Sequence, residues 1–290
     1  DGSEVAFIHE GTDGAVGPFV YDKDKFHALL KKEITDEFGT VLALDMTEEN
    51  YERKTRLVGL NRPQSEIYVD CNGASESVLV DEVETALEMG VGRSYIFFGA
   101  PGTGKTTLAF RLAERMNKSM LVFNHDLLTS NGAWIARAVP LLDPDIILFD
   151  DIDRVWDPGK LLFYIDSLNA GKPRVMIGTI NKLSRLPKAL RRPGRFDSVK
   201  RFPLPTAEQA VAIMRAHAEA LKLDISDEDL AVYAEHGKGL SGAYLREVVL
   251  RTRLVDKRDV LLSQIDDMHE LAAVKEDPVK KKADDDEDDD

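Results

Sequence analysis

The stretch "SYIFFGAPGTGKTTLAFRLAERM", Ser94 to Met116, decides the fold. It opens as a short apolar run, passes through a glycine-rich loop, and continues with apolar residues at helical spacing. Strand, tight loop and amphipathic helix in succession begin a β-α unit. Working outward, "SMLVFN" (119–124), "DIILFDD" (145–151) and "PRVMIGTIN" (173–181) are further apolar runs bounded by turn residues. Such near-continuous apolar strands belong to parallel sheets buried on both faces. Helical patterns such as "GKLLFYIDSL" (159–168) separate them. The expectation is a doubly wound α/β domain over residues 66–204, a parallel sheet sandwiched by helices. After "PLP" (203–205) the pattern turns helical: "AEQAVAIMRAHAEALK", "SDEDLAVYAE", "SGAYLREVVLRTRLV" and "RDVLLSQIDDMHELAAV" predict a small helical domain over 205–274. Ser226 with Asp229 is a capping-box pattern. Residues 1–65 form a region of uncertain α+β type and unknown role, with "DKFHALLKKEI" helical and "GTVLALDM" a strand.

Gly99, Ala100, Pro101, Gly102, Thr103, Gly104, Lys105 and Thr106 spell the phosphate-binding pattern G-x-x-x-x-G-K-[ST], followed by Thr107. The pattern stands between a predicted strand and a predicted helix, the context it requires. Glycines let backbone N–H groups converge on phosphate oxygens, and the helix N-terminus adds partial positive charge. Lys105 suits the β- and γ-phosphates, and the Thr106 hydroxyl suits Mg²⁺. A nucleotide loop needs a metal-holding acid at the end of a neighbouring strand, and "IILFDDIDR" (146–154) supplies Asp150. Asp151 then falls where a base would orient the attacking water. Asn181 ends the fourth strand, and Arg192 and Arg195 follow in an "RPGR" turn. Arginines that meet transferring phosphoryl charge add roughly 10³–10⁵ in rate. These two are expected to lie far from their own loop and to serve a neighbour's site.

Together these stretches resemble the AAA family of the wider AAA+ ATPases, from about Glu66 to Val255. "GAPGTGKTT" is similar to Walker A and "IILFDDID" to Walker B; Asn181 falls at the sensor-one position, "ALRRPGRFD" at the second region of homology with its arginine fingers, and "GLSGAYL" (239–245) at the sensor-two stretch. The resemblance implies a P-loop NTPase fold with a helical lid, ATP and Mg²⁺ as cofactors, ATP hydrolysis, and a homo-oligomeric ring, a hexamer or heptamer, that remodels or translocates a protein partner. Two departures stand out. The usual acid pair is Asp-Glu; here it is Asp150-Asp151. Aspartate is shorter by one C–C bond, about 1.5 Å, and a displacement of about 1 Å can cost on the order of 10²-fold in rate. Nor does the segment after the second strand carry an aromatic–hydrophobic–glycine pore loop; Trp134 stands there, and core packing is its expected role. Both departures resemble the subfamily of the mitochondrial translocase that assembles the cytochrome reductase complex. Two alternatives accompany this reading: a nucleotide-gated assembly scaffold with little hydrolysis, and a DNA-replication type of AAA+ ATPase.

Composition weighs against the last. The chain carries a formal net charge of −14, and phosphate-backbone binding needs a basic face. The segment "DDDEDDD" (284–290), within an acidic tail over 275–290, is expected to stay disordered, as self-repelling blocks do. No apolar run is long enough to span a bilayer. One cysteine, Cys71, excludes an internal disulfide framework and suits a reducing, cytoplasmic compartment. The first residue is Asp1 rather than Met, so a targeting signal upstream is beyond this reading. The six histidines show no metal-ligand spacing.

Overall fold

The computed structural model describes residue 32 and residues 41–49, 52–59, 67–70, 75–123, 139–140, 142–154, 158–169, 172–192, 194–255 and 257–273. The helix expected at Asp24–Ile34 lies outside these apart from Lys32, as do Trp134 and the acidic tail. The chain forms two compact units that part between Pro205 and Thr206.

In the first unit the elements run β1 (Val41–Glu49), β2 (Glu52–Gly59), α1 (Glu76–Glu88), β3 (Arg93–Gly99), α2 (Lys105–Arg115), β4 (Met120–Phe123), β5 (Ile146–Phe149), α3 (Pro158–Asn169), β6 (Val175–Ile180) and β7 (Ser198–Phe202). The strands make one seven-stranded sheet in the order β2-β1-β4-β5-β6-β3-β7. Only the β1–β2 pairing is antiparallel; β1 runs parallel to β4, and the other neighbours are parallel too. Two strands from the region of unknown role thus extend the nucleotide-loop sheet rather than forming a separate element. The strand expected in "GTVLALDM" is β1, and its antiparallel partner β2 carried no apolar signal.

The pleat divides the apolar residues between two layers. Ile96, Leu121, Phe123, Ile147, Phe149, Met176 and Ile180 face one side, where α3 covers them with Leu161, Ile165 and Leu168. Tyr95, Phe97, Met120, Val122, Ile146, Leu148, Val175 and Ile177 face the other, where α1 supplies Leu79 and Val83 and α2 supplies Leu108 and Leu112. Burial on both faces is why β3 to β6 read as unbroken apolar runs. It also fixes the ends of the strands. The loop after β3 and the turns after β5 and β6 lie at the same edge of adjacent parallel strands, β5 beside β6 beside β3.

The second unit holds α4 (Ala207–Ala220), α5 (Asp227–His236), α6 (Gly242–Arg251) and α7 (Arg258–Ala273). Its buried residues include Met214, Leu230, Leu245, Val248, Leu261 and Ile265. Ser226 caps α5 by accepting from the Asp229 N–H, and its hydroxyl donates to the Asp229 carboxylate, so the reciprocal bond of a capping box is not formed. The complete box belongs to Thr206 and Gln209 at the start of α4. Among the described residues no helix is long and apolar enough to cross a membrane.

Candidate nucleotide site

The glycine loop is shaped by two different demands. Gly99 ends β3, and a Cβ there would drive into the Phe202 carbonyl and lie 2.8 Å from the Phe202 Cβ. The first glycine of the motif is therefore set by the close approach of β7, not by a phosphate. Gly104 caps α2 at φ +90, in the left-handed region, and Gly102 adopts φ +75. These angles turn the chain so that α2 can start at Lys105.

Lys105 is 6% exposed. Its ammonium donates three hydrogen bonds of 2.9 Å, to the Gly99 and Ala100 carbonyls and to Asn181 Oδ1. Burial pulls its pKa below the ordinary lysine value, while the charges of Asp151, Asp153 and Asp150 oppose that shift. The Thr106 hydroxyl donates to Asp150 Oδ1 at 2.8 Å. Thr179, fully buried on β6, donates to the same oxygen at 2.6 Å and accepts the Asp151 N–H at 2.8 Å. Asn181 completes the chain: its amide donates to Asp151 Oδ1 at 3.3 Å while its oxygen accepts from Lys105. Arg154 pairs with the other Asp151 oxygen at 3.5 Å. The structure thus joins Lys105, Thr106, Asp150, Asp151 and Asn181 in one hydrogen-bonded network drawn from three adjacent strands.

Asp151 sits at φ +54. That left-handed conformation is uncommon for residues other than glycine, and aspartate is among those that tolerate it best. The short acid of the pair therefore occupies a backbone that favours it.

Arg192 and Arg195 stand apart from this network. Arg195 is held within its own chain: Nε and Nη2 each donate to the Asp166 carboxylate of α3 at 2.7 Å, and Nη1 donates to the Ala189 carbonyl at 2.9 Å. The bonded guanidinium holds the Asp166 carboxyl below the usual carboxylate range. Arg192 is exposed in the same turn. Thr179 was missed in the sequence, although it lies two residues before Asn181 and hence on the same face of the strand. The partnership of Asp166 with Arg195 had no sequence signal.

Thr106 and Asp150 set a hydroxyl and a single carboxylate side by side, 2.8 Å apart. That is the sparse, hard-oxygen protein share with which Mg²⁺ is held when phosphates complete the shell. The donor set fits Mg·ATP, with the Lys105 ammonium joined to it through Asn181, Asp151 and Thr179.

Residues 95–204 match the family described as ATPases associated with various cellular activities (AAA). The chain is 30% identical over 228 residues to the proteasome-activating nucleotidase of Methanoregula boonei, covering 66% of this chain and 51% of that protein. It is 26% identical over 254 residues to 26S proteasome regulatory subunit 6A of Schizosaccharomyces pombe, covering 75% and 57%. It spans about half the length of these relatives. Among solved structures, the Thermotoga maritima RuvB Holliday junction branch migration motor superposes with a TM-score of 0.56 at 22% identity, covering 66% of this chain and 67% of that one, a likeness of fold. Over residues 95–204, the chain carries a domain of the AAA ATPase family.

Proposed function

We propose that the chain binds Mg·ATP, hydrolyses it to ADP and phosphate, and assembles into a homo-oligomeric ring that remodels or translocates a protein partner. The observation that carries this reading is the continuous network from Lys105 through Asn181 to Asp151, beside Thr106 and Asp150. Loop amides and Lys105 hold the phosphates. Thr106 and Asp150 would hold Mg²⁺, which would supply charge neutralisation to the phosphates. Asp151 accepts a proton from the attacking water as its oxygen closes on phosphorus, with Asn181 orienting both. Arg195, once released from Asp166, and Arg192 meet the charge at a neighbour's phosphate.

The Asp150-Asp151 pair supports the narrower kinship with the reductase-assembly subfamily, and residues 66–204 and 205–274 serve as ATPase body and lid. The short Asp151, where the usual second acid is glutamate, also favours a second reading, a nucleotide-gated scaffold with slow turnover. Phosphate release measured beside the oligomeric state in ATP separates the two. Turnover that Lys105→Ala abolishes supports the ATPase. ATP-dependent assembly without turnover supports the scaffold, and an absence of both overturns the nucleotide reading.

A further inference from the structure

Asp153 follows the acidic pair in the short 3₁₀ turn Ile152–Arg154, and no step described above uses it. Its Oδ2 accepts two backbone N–H groups, from Asn181 and from Lys182, each at 3.1 Å. Both donors lie just beyond the sheet ladder. The last β3–β6 pair is Phe98 with Ile180, and the last β5–β6 pair is Phe149 with Gly178. Among the described residues no strand partner therefore holds the backbone at 181 and 182, and the carboxylate takes over where the ladder stops. Its second oxygen, Oδ1, is buried and meets no hydrogen-bond partner among the described residues. Keeping half a carboxylate buried and idle is costly. A residue there only to fill space would be better apolar.

We propose that Asp153 is a positioning residue: it clamps the Asn181–Lys182 backbone to the turn that carries Asp151, so that the Asn181 amide meets Lys105 and Asp151 together. The clamp makes two elements one body. Asp151 and Asp153 share a turn after β5, and Asn181 starts the turn after β6. With Oδ2 bonded across the gap, the Asn181 side chain has a fixed origin from which to bridge Lys105 and Asp151. Without it, Asn181 swings on a free backbone, and a misplacement of about 1 Å is enough to cost on the order of 10²-fold in turnover. ATP affinity rests on the loop and Lys105, so it changes little. The effect on turnover rests on the ATPase reading above; the clamp itself does not.

The test uses the full chain and two variants. Amide hydrogen exchange without nucleotide reads the clamp directly, and ATP affinity and phosphate release at saturating Mg·ATP read its consequence. Asp153→Ala should speed exchange at Asn181 and Lys182 at least about tenfold while Val175–Ile180 stay protected, and should lower kcat at least about tenfold with ATP affinity within about threefold. Asp153→Asn retains an acceptor oxygen; it should keep both amides protected and at least about a third of kcat, since the role is geometric. Unchanged exchange at 181 and 182 in Asp153→Ala overturns the clamp. Freed amides with undiminished kcat overturn its role in positioning. Loss of protection throughout β6 makes Asp153 a fold residue and equally overturns the proposal. A parent chain that releases no phosphate refutes the ATPase reading, while the exchange arm still decides the clamp.

Discussion

Replacing Asp151 with glutamate restores the acid pair usual in the family, and we expect it to slow the protein. Two costs add. The backbone at 151 lies at φ +54, where most L-residues pay about 1–2 kcal/mol and aspartate pays less. The longer side chain also carries its carboxylate about 1.5 Å further along. It thereby leaves Asn181 Nδ2, now 3.3 Å from Oδ1, and Arg154, now 3.5 Å from Oδ2. A displacement of that size corresponds to a fall of roughly 10²-fold in kcat. ATP affinity, set by Lys105 and the loop, should stay within about threefold. About 1 kcal/mol of strain should lower Tm by roughly 2–4 °C. Steady-state phosphate release, calorimetric ATP titration and a thermal melt read the three quantities. A glutamate variant as fast as the parent, or faster, would refute the idea that the left-handed backbone is matched to the short acid.

Lys105→Ala should abolish tight Mg·ATP binding by calorimetry with an unchanged circular dichroism spectrum. Because burial lowers the pKa of Lys105 in the folded chain, the unfolded state holds that proton more tightly. Stability should then rise with pH towards the ordinary lysine pKa near 10.4, and this increment should vanish in denaturant titrations of Lys105→Ala. Arg195→Ala should cut turnover by roughly 10³-fold with little loss of ATP affinity. Mixing it with Lys105→Ala protomers should restore activity if the arginine acts across an interface; mixed assemblies with none would argue for action within one protomer. Gly99→Ala should destabilise by about 2–3 kcal/mol, the upper range of overpacking, because Phe202 and the rest of β7 must give way; a melt unshifted from the parent would contradict that packing.

The sequence revealed the middle of the sheet and hid its borders. β3 to β6 are covered on both sides, so each reads as a solid apolar run. β7, "SVKRF", is an edge strand with only Phe202 buried, and β2, "ERKTRLVG", is the other edge, crowded with charge at its start. Edge strands carry such residues because an apolar edge would recruit other chains, and the same residues erase the strand signal. In the site, Lys105, Thr106, Asp150, Asp151 and Asn181 were legible because loop motif and strand ends fix their positions along the chain. Three features were not. The tie between Asp166 and Arg195 spans 29 residues and depends on where α3 packs; the left-handed turn at Asp151 is a backbone angle; and the grip of Asp153 on residues 181 and 182 joins two turns that meet only in the folded sheet.

The resting place of Lys105 has a consequence of its own. Its three bonds leave the ammonium no idle proton, and one of its acceptors is the same Asn181 oxygen whose amide partner faces Asp151. An arriving phosphate can take Lys105 only by breaking a bond already made. A shift of the ammonium is then passed through Asn181 to Asp151, because one amide holds both. Lysine and acid are thus geared rather than merely adjacent: neither turns without the amide between them.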